Sequence, residues 1–185
     1  MAAAIRNLPS VYFGPYLVTP QVFHQTPLSF ALVNLKPLLP GHVLICPRRR
    51  AVRVTDLTPA ETSDLFLTVR RVGRMVERVF GGSSLNIAVQ DGPDAGQSVA
   101  HVHTHVIPRR GGDMEHRGGS DKIYEMMDGE EGDLKRGFED KSESESGQGS
   151  LTGVDNEGRR ARSAGEMRAE AEMLAGEMAK EEDVD

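Results

Sequence analysis

Apolar and polar positions alternate along the chain so as to mark short strand-like runs and two helical stripes. Residues 11–23 hold brief β-prone runs broken by Gly14-Pro15 and Pro20, which predicts two short strands with a turn between them. Residues 29–35 predict a strand with Phe30, Leu32 and Asn34 on one face. A proline-punctuated loop follows, and residues 42–45 predict the next strand, ending at Pro47. Arg48, Arg49 and Arg50 read as a solvated turn. Thr58-Pro59-Ala60-Glu61 is a helix start, with Thr58 as N-cap, Pro59 at the first helical position and Glu61 closing a capping box. Leu65, Val69, Val72, Val76 and Val79 form one apolar stripe behind it, which makes this the core helix. Arg70, Arg74, Glu77 and Arg78 lie away from that stripe and read as solvent-facing, and Gly81-Gly82 ends the helix.

Residues 85–90 predict a strand that leads into a turn-rich loop. The β-branched stretch around residues 101–107 predicts another strand, ended by Pro108, after which Arg109-Arg110-Gly111-Gly112 opens an exposed segment. Ser163-Ala164-Gly165-Glu166 is a second capping box, followed by a thin stripe of Met167, Ala171, Leu174 and Met178. The fold class is α+β: an antiparallel sheet carrying one long core helix, with a C-terminal helix after a disordered acidic insert.

Composition sharpens the division. All ten prolines lie at or before Pro108. Residues 126–162 are mostly Gly, Ser, Asp, Glu, Lys and Arg, too poor in apolar side chains to offset the entropy of ordering. This predicts a folded domain over 1–125, a disordered insert over 126–162, of which about 142–158 is dispensable for chemistry, and a docking helix over 163–180. The net charge of −6 and a pI near 5.5 argue against a general nucleic-acid binder. No run approaches the ~20 apolar residues of a membrane span, and the first ten residues lack the pattern of a signal peptide. Cys46, the single cysteine, reads as a buried inert thiol in a reducing compartment. Together these place the protein in the cytoplasm and leave the nucleus open.

The chemistry gathers in residues 90–109. His101, His103 and His105 fall at i, i+2, i+4 spacing, which on a strand sets three imidazoles in a row on one face, with Val102, Thr104 and Val106 on the other. Just before them Gly92, Pro93, Gly96, Gln97 and Ser98 make a turn whose backbone N–H groups and short side chains can wrap an anion. Three readings compete: structural histidines, a zinc site built from alternate histidines, or a neutral imidazole nucleophile facing a bound phosphate. The nucleophile needs its second nitrogen held, by a neighbouring histidine or a backbone carbonyl, and a neighbouring histidine can protonate the leaving group. Asn34 closes its strand end or bonds a ribose hydroxyl, and Gln90 stands where its strand meets the loop.

His101-Val102-His103-Thr104-His105-Val106-Ile107 resembles the histidine-triad motif, His-φ-His-φ-His-φ-φ, with Thr104 where an aliphatic residue is usual. Gln90-Asp91-Gly92-Pro93-Asp94-Ala95-Gly96-Gln97 resembles the fragile histidine triad (Fhit) branch of that superfamily more than the Hint branch. So do the stretches 28–34, 40–47, 121–125 and 162–174. The resemblance implies hydrolysis of a dinucleoside polyphosphate, foremost diadenosine triphosphate to AMP and ADP, through a nucleotidyl-histidine. It implies His103 as nucleophile and His105 near the scissile bridge, with His101 and His42 orienting the site. Gly96, Gln97, Ser98 and Val99 would hold the phosphate, and Asn34 and Gln90 the nucleotide. Residues 11–23 would pack over a base, and Tyr124 would lie near substrate. No metal ligand set or tightly bound cofactor is implied; a divalent cation, magnesium or manganese, would arrive with the substrate. A homodimer is implied, which would cover the exposed sheet edge. A Hint-like phosphoramidase and a nucleotide-binding signalling protein with incidental turnover are the alternatives.

Overall fold

A computed structural model describes residues 10–128, 138 and 161–181. The chain opens on a small hairpin, β1 (Tyr12–Phe13) and β2 (Tyr16–Leu17), which turns at Gly14. Five further strands form one antiparallel sheet: β3 (Val22–Gln25), β4 (Ser29–Val33), β5 (Val43–Pro47), β6 (Ser84–Val89) and β7 (Thr104–Arg109). Their spatial order is β3-β4-β5-β7-β6. The helices are α1 (Pro59–Phe80), α2 (Lys122–Asp128) and α3 (Ala164–Met178). The α+β architecture expected from the sequence is the one observed.

Helix α1 begins as its residues dictate. Thr58 accepts from the Glu61 N–H at 3.2 Å, and the Glu61 carboxylate accepts from the Thr58 N–H at 2.8 Å. It ends at Gly81 with φ +65°. Leu65, Val69, Val72 and Val76 are buried with Val106 and Val102 in one core. Helix α3 has the second capping box as expected, between Ser163 and Glu166, and buries Met167, Ala171, Leu174 and Met178.

Several expectations are corrected. Strand β7 starts only at Thr104, so His101 and His103 precede it. The His101 N–H closes a tight turn onto the Val99 carbonyl at 2.7 Å, which bends the backbone out of strand geometry. Pro108 does not end the strand; it lies inside it, opposite Leu85, where β5 no longer runs beside β7 and one missing N–H is tolerated. Arg109 is buried instead of exposed. Its guanidinium meets Asp113 through two bonds of 2.8 and 2.9 Å, and reaches Asn86 at 2.5 Å. On α1, Arg70 and Arg78 are exposed as expected, and Arg78 also bridges to Glu177 at 2.6 Å and Glu181 at 2.7 Å at the C-terminal end of α3. In the arginine turn, Arg49 is anchored to Glu61 at 2.7 Å.

Ile123 and Tyr124 lie in α2, whose buried Ile123, Met126 and Met127 pack with Leu38, Ile107 and Met114 on the sheet face opposite α1. Ordered structure thus continues past residue 125. Most of the expected disordered insert, including 142–158, lies outside the described residues. Phe138 is described, and it is buried, stacked on Tyr16 with ring centroids 4.5 Å apart. Among the described residues no helix is long and apolar enough to cross a membrane.

Candidate active site

The sheet register brings the site residues to one face. Leu44 stands opposite both Leu32 and His105 across β4, β5 and β7, so these side chains share a side while Ile45 and Thr104 face α1. His42 lies one residue before β5, Asn34 one residue after β4, and both are buried, His42 against His105 and Asn34 against His42. His101 and His103 are also buried. The three imidazoles stay adjacent despite the late strand start, with His103 and His105 centroids 5.0 Å apart.

Backbone partners fix each ring's proton. The Gly14 N–H donates to His101 Nδ1 at 3.0 Å, so the proton of the neutral ring sits on Nε2, which donates to the Pro47 carbonyl at 2.8 Å. His103 Nδ1 donates to the His101 carbonyl at 2.8 Å, which leaves its Nε2 with the lone pair. The Leu38 N–H donates to His42 Nδ1 at 3.0 Å, so His42 carries its proton on Nε2 and donates to His105 Nδ1 at 2.9 Å. His105 therefore holds its proton on Nε2, a buried atom with no hydrogen-bond partner among the described residues. The result is a lone-pair nitrogen on one ring beside a donor N–H on the next. Orientation of His103 thus comes from the His101 backbone, not from flanking imidazoles on a strand.

Burial keeps these rings neutral. It pushes His103 down to about 4 from the usual 6.5, against the raising effect of the His101 carbonyl bond. His105 is held well below its ordinary value, first by burial and then by the His103 and His42 rings nearby. His101 is lowered by burial as well. Because Gly14 and Pro47 occupy both nitrogens of His101, the three rings cannot converge on one ion in this arrangement.

The loop before the triad is internally tied. The amides of Gly96 and Gln97 donate to the Pro93 and Gly92 carbonyls at 3.0 and 3.1 Å, and the Gln97 side chain donates to the Val52 carbonyl at 2.8 Å. Those donors are committed to holding the loop's shape. Ser98 and Val99 are the loop members that lead into the turn at His101. Gln90 lies buried beneath the loop, its amide 3.4 Å from the Met127 carbonyl, and a Cβ on Gly96 would come within 2.5 Å of it. Asn34 accepts from the Lys36 N–H at 3.0 Å and places Nδ2 3.2 Å from His42 Nε2. Tyr124 is half exposed and accepts from Asn86 of β6 at 3.3 Å.

Phe13 is a site residue that the sequence did not single out. Its fully buried ring meets His103 edge-on at 5.1 Å and His101 at 5.8 Å. Gly14 beside it supplies the bond to His101, and at φ +56° a Cβ there would lie 2.7 Å from Val99 Cγ1. A non-glycine residue could not bring that N–H so close.

An antiparallel α+β fold that presents a lone-pair imidazole nitrogen between two further histidines defines a histidine-triad protein. Residues 18–112 match the HIT domain family, and the chain belongs to that family, on its Fhit branch. It is 56% identical over 128 residues to the bifunctional bis(5'-adenosyl)-triphosphatase/adenylylsulfatase FHIT of Arabidopsis thaliana, covering 69% of each chain. It is 50% identical over 124 residues to the asymmetrical bis(5'-nucleosyl)-tetraphosphatase of Schizosaccharomyces pombe, covering 67% of this chain and 66% of that one. The fold is similar to that of Plasmodium falciparum diadenosine triphosphate hydrolase in complex with Cyclomarin A. There the TM-score is 0.66 at 26% identity, covering 95% of this chain and 88% of the other.

Proposed function

We propose that the protein hydrolyses dinucleoside polyphosphates, with diadenosine triphosphate split to AMP and ADP. One observation carries this reading: His103 Nε2 holds a lone pair beside the unpartnered Nε2–H of His105. His103 Nε2 attacks the α-phosphorus, a P–N bond forms, and the bond to the bridging oxygen breaks. His105 donates to that oxygen and can protonate it as ADP leaves. Water then attacks phosphorus, the P–N bond breaks, and AMP is released. His101 sets the position of His103 through its own carbonyl, and His42 sets the proton on His105. With Gly96 and Gln97 shaping the loop, the Ser98 hydroxyl and the amides of Ser98 and Val99 are the groups to hold phosphate oxygens where charge develops. Asn34 and Gln90 hold nucleotide, and the hairpin around Phe13 and Tyr16 covers a base. The curated relatives support the substrate class.

A divalent cation would come with the polyphosphate, coordinated by its oxygens. The protein would act as a homodimer through β6, the outer strand, where Ile87 is 48% exposed and the opposite sheet edge is packed by α3. A buried free thiol at Cys46 supports a cytoplasmic setting.

The test is turnover of diadenosine triphosphate compared with an adenosine phosphoramidate, for wild type and His103→Asn. Wild type should prefer the triphosphate, and the variant should lose more than the ~10²–10⁴ of a missing general acid while still binding nucleotide. Quenching in alkali during turnover should trap the nucleotide on the peptide containing His103. A preference for the phosphoramidate would redirect the substrate assignment, and an adduct on another histidine would overturn the mechanism.

A further inference from the structure

We infer that Arg162, which lies outside the residues matching the HIT domain family and just ahead of α3, is a positioning residue for the nucleotide site. It clamps the end of β4 from the C-terminal element. Its backbone N–H donates to the Leu35 carbonyl at 3.0 Å, and its guanidinium donates to the Asn34 carbonyl through Nε at 3.0 Å and through Nη2. The remaining arm of the fork, Nη1, meets the Glu170 carboxylate on α3. Both side chains of that ion pair are largely buried, at 18% and 17% exposure. A guanidinium with all three nitrogens engaged, in a partly desolvated setting, holds a fixed geometry that a lysine cannot copy.

What it holds is the root of a chain of close contacts. Asn34 has left strand geometry, so nothing in the sheet ladder fixes its backbone. Its side chain faces His42 at 3.2 Å, and His42 sets the proton on His105 at 2.9 Å. A shift of the Asn34 carbonyl therefore reaches the amide that is to bind the nucleotide, and next the histidine pair. Glu170 on α3 and the clamp make the C-terminal helix a support of the site rather than an appendage. The inference rests on Asn34 as a nucleotide contact.

The experiment measures AMP affinity by calorimetry and turnover of diadenosine triphosphate for Arg162→Ala, Asn34→Ala, the double variant and Arg162→Lys. Met178→Ala, which loosens the far end of α3 without touching the clamp, serves as the stability control. Arg162→Ala should weaken AMP binding about tenfold, the size of one or two lost hydrogen bonds, and raise KM more than it lowers kcat. The double variant should be no worse than Asn34→Ala, because Arg162 acts through Asn34. Arg162→Lys should recover thermal stability but not affinity. Unchanged AMP affinity in Arg162→Ala, additive losses in the double variant, or an equal affinity loss in Met178→Ala at matched Tm would each overturn the clamp. Wild type that binds AMP but does not turn over the triphosphate would instead overturn the substrate assignment, with the clamp still read by AMP affinity.

Discussion

The depressed His103 ring makes a prediction about folding as well as catalysis. In the unfolded chain an imidazole takes up its proton near 6.5, but in the folded protein burial holds His103 at about 4. Between those values the unfolded state binds one more proton, so stability is complete above 6.5 and declines as pH falls towards 4. Each pH unit inside the window is worth about 1.4 kcal/mol per proton, so the full 2.5-unit gap amounts to about 3 kcal/mol. His105, also lowered by burial and by the neighbouring His103 and His42 rings, adds to the decline. Urea unfolding followed by circular dichroism at pH 7.5 and pH 4.5 measures the loss, and His103→Asn isolates the share of one ring. The variant should lose about 2–3 kcal/mol less than wild type over that interval. On the proposed mechanism the same ring governs activity, so the acid limb of kcat/KM, which reports the free enzyme, should fall nearer 4 than 6.5. Identical pH slopes for wild type and variant, or an acid limb at 6.5, would refute a buried neutral nucleophile.

Three further outcomes follow from local geometry. Thr104 buries a hydroxyl with no hydrogen-bond partner among the described residues, so Thr104→Val should raise stability by about 1 kcal/mol, measured as a higher urea midpoint at constant slope. Gly14→Ala adds a Cβ 2.7 Å from Val99 at φ +56°; it should cost about 1–2 kcal/mol and, by withdrawing the N–H from His101, lower kcat more than a control of equal Tm loss. Glu61, held near 2 first by the Arg49 bond and then by its cap bond to Thr58, gives stability above its unfolded value of about 4.5 that is lost as pH falls to 2. Glu61→Gln should therefore cost about 1 kcal/mol at pH 7, and the difference from wild type should shrink on acidification below 4.5.

The fold was largely legible because its elements advertise themselves locally. The Thr58 and Ser163 capping boxes, the α1 stripe and the turn glycines are patterns of near neighbours, and each element formed where its pattern lies. Spacing also predicted that His101, His103 and His105 would be adjacent. It could not predict their roles, because those depend on a Gly14 amide 87 residues away and a Pro47 carbonyl 54 residues away. Phe13 was illegible for the same reason. Arg109 looked solvated because charge alone does not reveal burial, and one of its partners, Asn86, comes from another strand; the Glu177 partner of Arg78 is likewise distant in sequence. Helix α2 did carry a signal, Ile123 with Met126 and Met127 at i, i+3, i+4, but seven residues give that pattern little weight against the polar chain around it.

The neutrality of the histidine cluster has a bearing on how the cleft meets a polyanion. Four buried rings, each tautomer pinned by a backbone amide, a carbonyl or another ring, bring dipoles to the phosphates but no full positive charge. Binding that draws on aligned N–H dipoles releases few counterions and is weakly screened by electrolyte. The rings themselves should accordingly add little salt dependence to substrate affinity, and they can discriminate among nucleotides by the geometry of their oxygens instead of by their total charge.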